Sequence, residues 1–407
     1  MEALSQSNLG NSGEITRSSY LQFSVLLTQI WPRVESKELY NPYFMKSLHR
    51  LLGIALLATA WNQVQAQNFQ QVLQSEITES NPGILFTVES GDESFSWSGA
   101  AGINDQSLGD SLQIEETFRI ASVTKTYVAA GILRLMEKGV LKLDDPISKH
   151  ISQEHAEILS QDYDLDLITI RQILRHSAGF FDHTNAPEFF EIVLGTTDHE
   201  WTRTEQLKMG VEKGDPIGPP GEQFSYSDTG YVILGELIEK YTGKSLDAGL
   251  KELLGIEALG LERTDFERMD PITDQLRIHQ YFQGRDTYEF SPTMDYYGGG
   301  GILSTSQELV DFFQALFQGK VFEKAETLEI MLEPVTYETK ARMDYQMGMY
   351  KIKINGFEAF THSGFWGTQV IYIPELNLYM AANYSGGWRG SAVAPIFAKI
   401  LLEKGEN

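Results

Sequence analysis

Apolar and polar positions follow two different rhythms along this chain. In "GILFTVESGDESFSWSGAAG" (83–102), two β-rich runs flank "SGDES", a spacing that predicts a hairpin. After residue 118 the rhythm changes. In "FRIASVTKTYVAAGILRLMEKG", Val128, Ile132, Leu135 and Met136 mark one helical face, and Leu133 with Ala129–Ala130 carry it round the cylinder. A helix of that kind is buried on most sides, and Gly139 is a fitting stop. Residues 68–79, "NFQQVLQSEITE", predict a helix start ahead of the hairpin. From about 140 to 290 the pattern is helical pieces and loops, including "GYVILGELIEKYTG" (230–243), again closed by Gly. The β signal then returns: "FEAFTHSG", "GTQVIYIPE" and "NLYMAANYSGG" predict three consecutive strands with tight turns. "SAVAPIFAKILLEKG" predicts a closing amphipathic helix. There is no repeat and no obvious linker. The predicted class is α/β (α+β): one antiparallel sheet built from both chain ends, flanked by helices, with a mainly helical subdomain inserted at about 140–290.

The beginning of the chain reads differently. From Met45, "MKSLHRLLGIALLATAWNQVQAQ" has a cationic head (Lys46, Arg50), an apolar run from Leu51 to Trp61, and small residues at the end of Val64-Gln65-Ala66. That is the layout of a secretory signal peptide, and the run is too short to span a bilayer. Residues 45–66 are therefore expected to be a signal peptide. Residues 1–44, which are polar and patternless, are expected to be a start-site overcall or a disordered extension. The working domain is expected at 67–407, exported to the periplasm or beyond, with no transmembrane anchor.

Charge and composition narrow the chemistry. Lys+Arg total 32 against 56 Asp+Glu, for a net charge of −24. Phosphate backbones and anionic lipid would repel such a chain, so nucleic acid is not an expected partner. With no cysteine, thiolate metal sites and a Cys nucleophile are excluded.

The candidate nucleophile is in "RIASVTKTYVAAGIL" (119–133). Ser122 and Lys125 are three apart, so on a helix they share a face. Lysine Nζ can then reach serine Oγ, and a serine hydroxyl is a weak nucleophile until a neighbour handles its proton. A lysine entering so apolar a helix needs a reason, although Ser-x-x-Lys alone is a weak pattern. Two further stretches add to it. Tyr226-Ser227-Asp228 precedes an apolar helix in "PPGEQFSYSDTGY", and His362-Ser363-Gly364 ends a predicted strand.

With these three in place, the chain resembles the serine β-lactamase and penicillin-binding superfamily, most of all its class C β-lactamases, DD-carboxypeptidases and related esterases. The resemblance covers roughly residues 83–400. It includes the flanks "ITIRQILRHSAGF" and "GGGGILSTSQEL". It implies that Ser122 is the acylated nucleophile, Lys125 its proton-handling partner and Tyr226 a second proton carrier, and it leaves open which group is the formal base. It also implies an oxyanion hole from the backbone N–H groups of Ser122 and Phe365, with His362, Ser363 and Gly364 lining the substrate. Two positions depart from the pattern. Asp228 stands where the family usually has Asn, and a carboxylate can only accept hydrogen bonds. It would repel an anionic substrate unless it pairs with Lys125 or is protonated. His362 replaces the Lys of the K-T-G form, as in some DD-carboxypeptidases. Both weaken the case for a potent β-lactamase and leave peptidase or esterase action open.

Other motifs fail. "TGKS" (242–245) lacks the P-loop glycine, since Ile238 holds its place, and "DYDLDL" (162–167) lacks both the glycine and the final Glu of a calcium loop. No G-x-S-x-G elbow is present. The scattered His residues lack metal-ligand spacing, and His176 and His183 read as local hydrogen-bonding residues. The four glycines 298–301 read as a tight backbone passage near the site. Phe180, Phe181, Tyr296, Tyr297, Phe365 and Trp366 are candidates for the floor of an acyl pocket or for core packing. The expectation is a serine hydrolase without metal or cofactor. It would act by acyl transfer on a small-molecule or peptide substrate: a D-Ala-D-Ala-type, peptidoglycan-derived peptide, a β-lactam-like compound or an ester. The rival is a non-turnover peptidoglycan or β-lactam sensor on the same scaffold, favoured by Asp228.

Overall fold

The computed structural model describes residues 68–267, 277–337 and 344–387. The predicted signal peptide, the segment before it and the predicted closing helix lie outside those residues.

The main sheet has seven strands: β1 (Gly83–Ser90), β2 (Ser96–Gly102), β8 (Asp344–Tyr345), β9 (Tyr350–Ile354), β10 (Phe357–Ser363), β11 (Thr368–Ile373) and β12 (Leu378–Tyr384). Its order is β2-β1-β12-β11-β10-β9-β8. Every neighbouring pair is antiparallel. The hairpin from the start of the domain pairs with its last described strand, Ile84 opposite Tyr384 and Ser90 opposite Leu378. The sheet is thus built from both ends, as the sequence pattern predicts.

β1 reads as an almost unbroken apolar run because both faces of the sheet are covered. Leu85 enters the larger core beneath the helices. Ile84, Phe86 and Val88 enter a second core with Phe69 and Leu73 of α1 (68–75). That helix is shorter than the predicted 68–79. Its partner is aromatic: Phe69 meets Trp97 edge-on at 5.3 Å.

The larger core is organised around α2 (Thr124–Glu137), which buries every residue from Thr124 to Leu133. Between it and the late strands come α3 (Gln153–Leu159), α4 (Ile170–Leu174), α5 (Pro187–Gly195), α6 (Arg203–Glu212), α7 (Asp228–Thr242) and α8 (Leu246–Leu254). α7 and α8 pack directly on α2. The two glycines expected to stop helices do so in the left-handed region, Gly139 at φ 71° and Gly243 at φ 67°. A small sheet of β3 (Phe118–Arg119), β7 (Ile302–Ser304) and β4 (Asp265–Phe266) anchors the entry to α2. A two-stranded ribbon, β5 (Tyr281–Phe282) and β6 (Arg285–Asp286), lies outside it. α9 (Ser306–Phe317) covers β12 and β1, and α10 (Ala325–Met331) touches α2. Among the described residues no helix is long and apolar enough to cross a membrane.

Candidate active site

The turn that carries Ser122 is fixed before the helix begins. Arg119 is buried, and its guanidinium binds Glu267 through Nε at 2.6 Å and Nη2 at 3.0 Å. It also donates to the carbonyls of Phe290 at 2.7 Å and Thr287 at 3.1 Å. Ile120 N–H donates to Ile302 O at 3.0 Å. Between these anchors and α2 the chain makes a 3-10 turn, Ala121–Val123. Ala121 is forced to φ 46°, a conformation that costs a non-glycine residue about 1–2 kcal/mol. This strain is held by the surroundings directly before a half-buried serine.

Lys125 lies one helical step inside and has no exposed surface. Its ammonium faces three acceptors: Ser122 Oγ at 2.9 Å, Gly299 O at 2.7 Å and Asp228 Oδ1 at 2.6 Å. These acceptors are the reason an apolar helix tolerates a lysine, because a buried cation must be paired and hydrogen-bonded. Gly299 O reaches it because the four-glycine stretch runs tight against α7: a Cβ at Gly298 would lie 2.3 Å from Tyr231 O, and one at Gly299 3.2 Å from Asp228 Oδ2. The sequence reading of a tight backbone passage agrees with this geometry.

Tyr226 closes the group. Its phenol is pushed well above its ordinary range by burial and then by the Asp228 carboxylate, with the nearby Ser122 side chain opposing them. Lys125 Nζ lies 5.1 Å from the centre of its ring. His176 lies against the phenol, ring centres 4.1 Å apart. Ser227 N–H donates to His176 Nδ1 at 3.1 Å, and burial holds that imidazole well below its usual pKa, so it stays neutral. The three residues that the sequence motifs single out, Ser122, Lys125 and Tyr226, come together at one point.

The strand side is set by an approach of two backbones. A Cβ on Gly364 would stand 2.2 Å from Ile120 O and 3.1 Å from Ala121 Cβ. The turn after β10 therefore lies directly on the turn that carries Ser122, and among the described residues neither Ser122 N–H nor Phe365 N–H donates to a protein acceptor. Gly364→Ala is expected to lever this turn away, destabilising the fold by about 1–3 kcal/mol and lowering kcat by ~10². Thermal melts alongside ester hydrolysis check this; a variant with wild-type kcat would contradict it.

His362 sits differently from its neighbours. It is 1% exposed. Its Nδ1–H donates to Ser363 O at 2.9 Å, and Nε2 accepts from Tyr345 Oη at 3.2 Å. Burial and then the nearby Lys125 depress its pKa to about 3, so the ring is neutral. Ser363, by contrast, is half-exposed.

Two carboxyls near the site had no sequence signal. Burial, then Asp228, raises Asp182 to about 7. Burial raises Asp295 to about 7, with Arg119 opposing and Asp228 adding. An unfolded aspartate loses its proton near 3.9. Between that pH and about 7 the folded chain binds the extra Asp295 proton, so this residue's contribution to stability falls as pH rises through that window. Asp295→Asn should remove this residue's share of the slope and leave that of Asp182: on going from pH 5 to pH 8, wild type should lose about 3 kcal/mol relative to the variant. Parallel melting curves across that range would refute this.

Beside the turn that carries Ser122, Ala121 and Trp366 pack with Phe189, Trp201, Phe290 and Met294. The rings of Phe190, Phe282 and Phe365 lie against this cluster and stay half-buried. Of the aromatics expected from sequence, Phe365, Trp366 and Phe181 belong here, whereas Phe180 lies in the larger core and Tyr296 and Tyr297 pack against it. Phe190 and Phe282 were not expected, since neither is near a motif. Among the described residues no group of three or more His, Asp or Glu side chains could hold a metal ion.

A strained serine turn backed by a buried lysine and faced by a late antiparallel strand defines a class. The family model described as Beta-lactamase matches residues 52–389, and the chain belongs to this family. Penicillin-binding protein 4* of Bacillus subtilis is 25% identical over 277 residues, 63% of this chain and 57% of that protein. Esterase EstB of Burkholderia gladioli is 29% identical over 177 residues, 42% of this chain and 44% of that protein. The chain thus aligns with less than two thirds of the length of these relatives. Among solved structures, a D-stereospecific amidohydrolase from Streptomyces sp. superposes with a TM-score of 0.70 at 25% identity, covering 81% of this chain and 97% of the other. The D-amino acid amidase of Ochrobactrum anthropi SV3 shares the fold, with a TM-score of 0.70 at 21% identity, covering 84% and 99%.

Proposed function

We propose that the protein is an exported serine hydrolase that forms an acyl-enzyme on Ser122 and acts on ester or amide bonds. The observation that carries the reading is the contact of Ser122 Oγ with Lys125 Nζ at 2.9 Å, with the Tyr226 ring centred 5.1 Å from the same ammonium.

The proton path follows from who can donate. An ammonium between a carboxylate and a carbonyl has no lone pair to offer, so Lys125 stabilises the developing alkoxide without taking the proton. Tyr226 is a neutral phenol at rest. As Ser122 Oγ attacks the carbonyl carbon, its proton passes to Tyr226 Oη while the Tyr226 proton passes to the leaving oxygen or nitrogen. The acyl–oxygen bond to serine forms, the bond to the leaving group breaks, and no net charge is created on the phenol. Water then retraces the path: it gives one proton to Tyr226 as Tyr226 reprotonates Ser122, and the free acid leaves. The N–H groups of Ser122 and Phe365 hold the oxyanion, and loss of one such donor costs ~10²–10³ in rate.

The binding-only alternative rests on Asp228. Paired with Lys125 at 2.6 Å, that carboxylate leaves the serine–lysine contact intact, which favours turnover. Tyr226→Phe tests the relay. It keeps the ring on His176 and is expected to lower kcat/KM for a p-nitrophenyl ester by ~10²–10⁴; an unchanged value would exclude the phenol from proton transfer. Export rests on residues 45–66, and N-terminal sequencing of protein recovered outside the cytoplasm tests it.

A further inference from the structure

Tyr226 can pass protons only while its phenol is held near Ser122, so the residue that fixes its loop bears on the chemistry, a point that rests on the acyl-transfer reading above. Residues 224–227 belong to no helix or strand. They lie along a second loop, residues 176–181, which begins just after α4. Two hydrogen bonds to one residue bracket Tyr226. Ser225 N–H donates to His176 O at 2.7 Å, and Ser227 N–H donates to His176 Nδ1 at 3.1 Å. Beyond them, Ser227 Oγ and Thr229 Oγ1 both donate to Phe181 O, at 3.3 and 2.9 Å.

The imidazole also touches the phenol, with ring centres 4.1 Å apart and planes tilted by 32°. Tyr345, Tyr231 and Phe224 enclose it, their ring centres 4.6, 4.9 and 6.0 Å away. One side chain therefore meets the ring of Tyr226 and the backbone after it, and the same residue's carbonyl meets the backbone before it.

His176 is a poor choice for stability alone. It is 2% exposed. Its φ of 53° lies in the left-handed region, which costs energy for a residue with a Cβ. Because Nδ1 accepts from Ser227, the ring proton sits on Nε2, and among the described residues this buried Nε2 has no hydrogen-bond partner. A strained backbone and an unmet donor both work against folding. Burial, then Lys125, holds the imidazole well below its ordinary pKa, so Nδ1 keeps the lone pair on which Ser227 depends.

We propose that His176 is a positioning residue for the proton relay: its carbonyl oxygen and its Nδ1 lone pair fix Ser225 and Ser227, and so keep the Tyr226 phenol within reach of Ser122 and the leaving group. It touches no substrate and carries no proton. Its effect on the reaction passes through Tyr226.

The test uses the full chain, a p-nitrophenyl ester and two substitutions that suit a left-handed backbone. His176→Gly removes the ring and the acceptor together. His176→Asn keeps an acceptor, because its Oδ1 is bonded to Cγ as Nδ1 is. His176→Gly is expected to lower kcat by about 10²-fold, with KM within about threefold of wild type. His176→Asn should recover about tenfold or more of that loss. In a Tyr226→Phe background, with no phenol hydroxyl left to position, His176→Gly should lower kcat by less than about threefold further. An equal loss in both backgrounds, a loss that falls on KM alone, an Asn variant no better than the Gly variant, or a Gly variant with wild-type kcat overturns the inference. If thermal melts show that His176→Gly does not fold, His176→Phe, which fills the ring space without the acceptor, takes its place with the same expectations. Two controls separate the levels. With wild-type Ser122 labelled by a fluorophosphonate and Tyr226→Phe slower than wild type, those outcomes sink this inference alone. A wild type with neither labelling nor turnover sinks the serine hydrolase reading, and a Tyr226→Phe protein with wild-type kcat sinks the relay; either takes this inference with it.

Discussion

Ser122→Ala is expected to lower ester hydrolysis by ~10⁴-fold or more while leaving the melting temperature within a degree or two of wild type. The serine is half-buried on a turn whose geometry is imposed from outside: Arg119 clamps one end, α2 begins at the other, and Gly364 presses on the middle. Removing Oγ takes away the nucleophile and one of three acceptors around Lys125. It leaves Asp228 and Gly299 O to hold the ammonium. Chemistry and stability should therefore separate cleanly. Paired measurements of kcat and thermal unfolding check this, and a variant with substantial residual kcat would place the nucleophile elsewhere.

Lys125→Met is expected to do the opposite and lose both. Methionine fills the apolar helix but leaves the Asp228 carboxylate facing a buried site without its cation. Breaking one partner of a buried pair costs about 3–5 kcal/mol when both are sealed, and the partial exposure of Asp228 argues for the lower end, about 3 kcal/mol. Asp228→Asn added to Lys125→Met should recover most of that loss, because the uncompensated charge is gone. It should not recover activity, because the alkoxide at Ser122 still lacks its ammonium. Urea unfolding of the two single variants and the double variant, run with an ester assay, tests both halves. A double variant no more stable than Lys125→Met would mean that the ion pair is not what holds the lysine in place.

The parts of the site legible in sequence are those with fixed local spacing. Ser122 and Lys125 share a helical face by arithmetic alone, and Tyr226 precedes an apolar helix that had to be buried. The sheet closed from both ends was legible because β1, β11 and β12 carry apolar runs between turn residues, and β2 and β10 sit next to them across short turns. β8 and β9 were not foreseen. "YKIKI" sets Lys351 and Lys353 among its apolar residues near the sheet edge, and β8 is only two residues long. Single carboxyls in loops, such as Asp182 and Asp295, carry no periodic signal, so their proximity to Asp228 had to come from the fold. The same holds for Phe190 and Phe282, which join Phe365 from α5 and the β5–β6 ribbon. Motif matching suggested that His362 lines the cleft. Its commitment to Tyr345 depends on the unforeseen β8, so its direction could not be read from the motif.

The central claim is that one hydroxyl, at the meeting point of Lys125, Tyr226 and the turn after β10, forms the covalent bond. Brief exposure of the full chain to a fluorophosphonate, followed by intact mass and peptide mapping, tests it most directly. One adduct per chain on the peptide carrying Ser122, absent from Ser122→Ala, is the predicted result. An adduct on any other residue, or none from a protein that still hydrolyses esters, would contradict it.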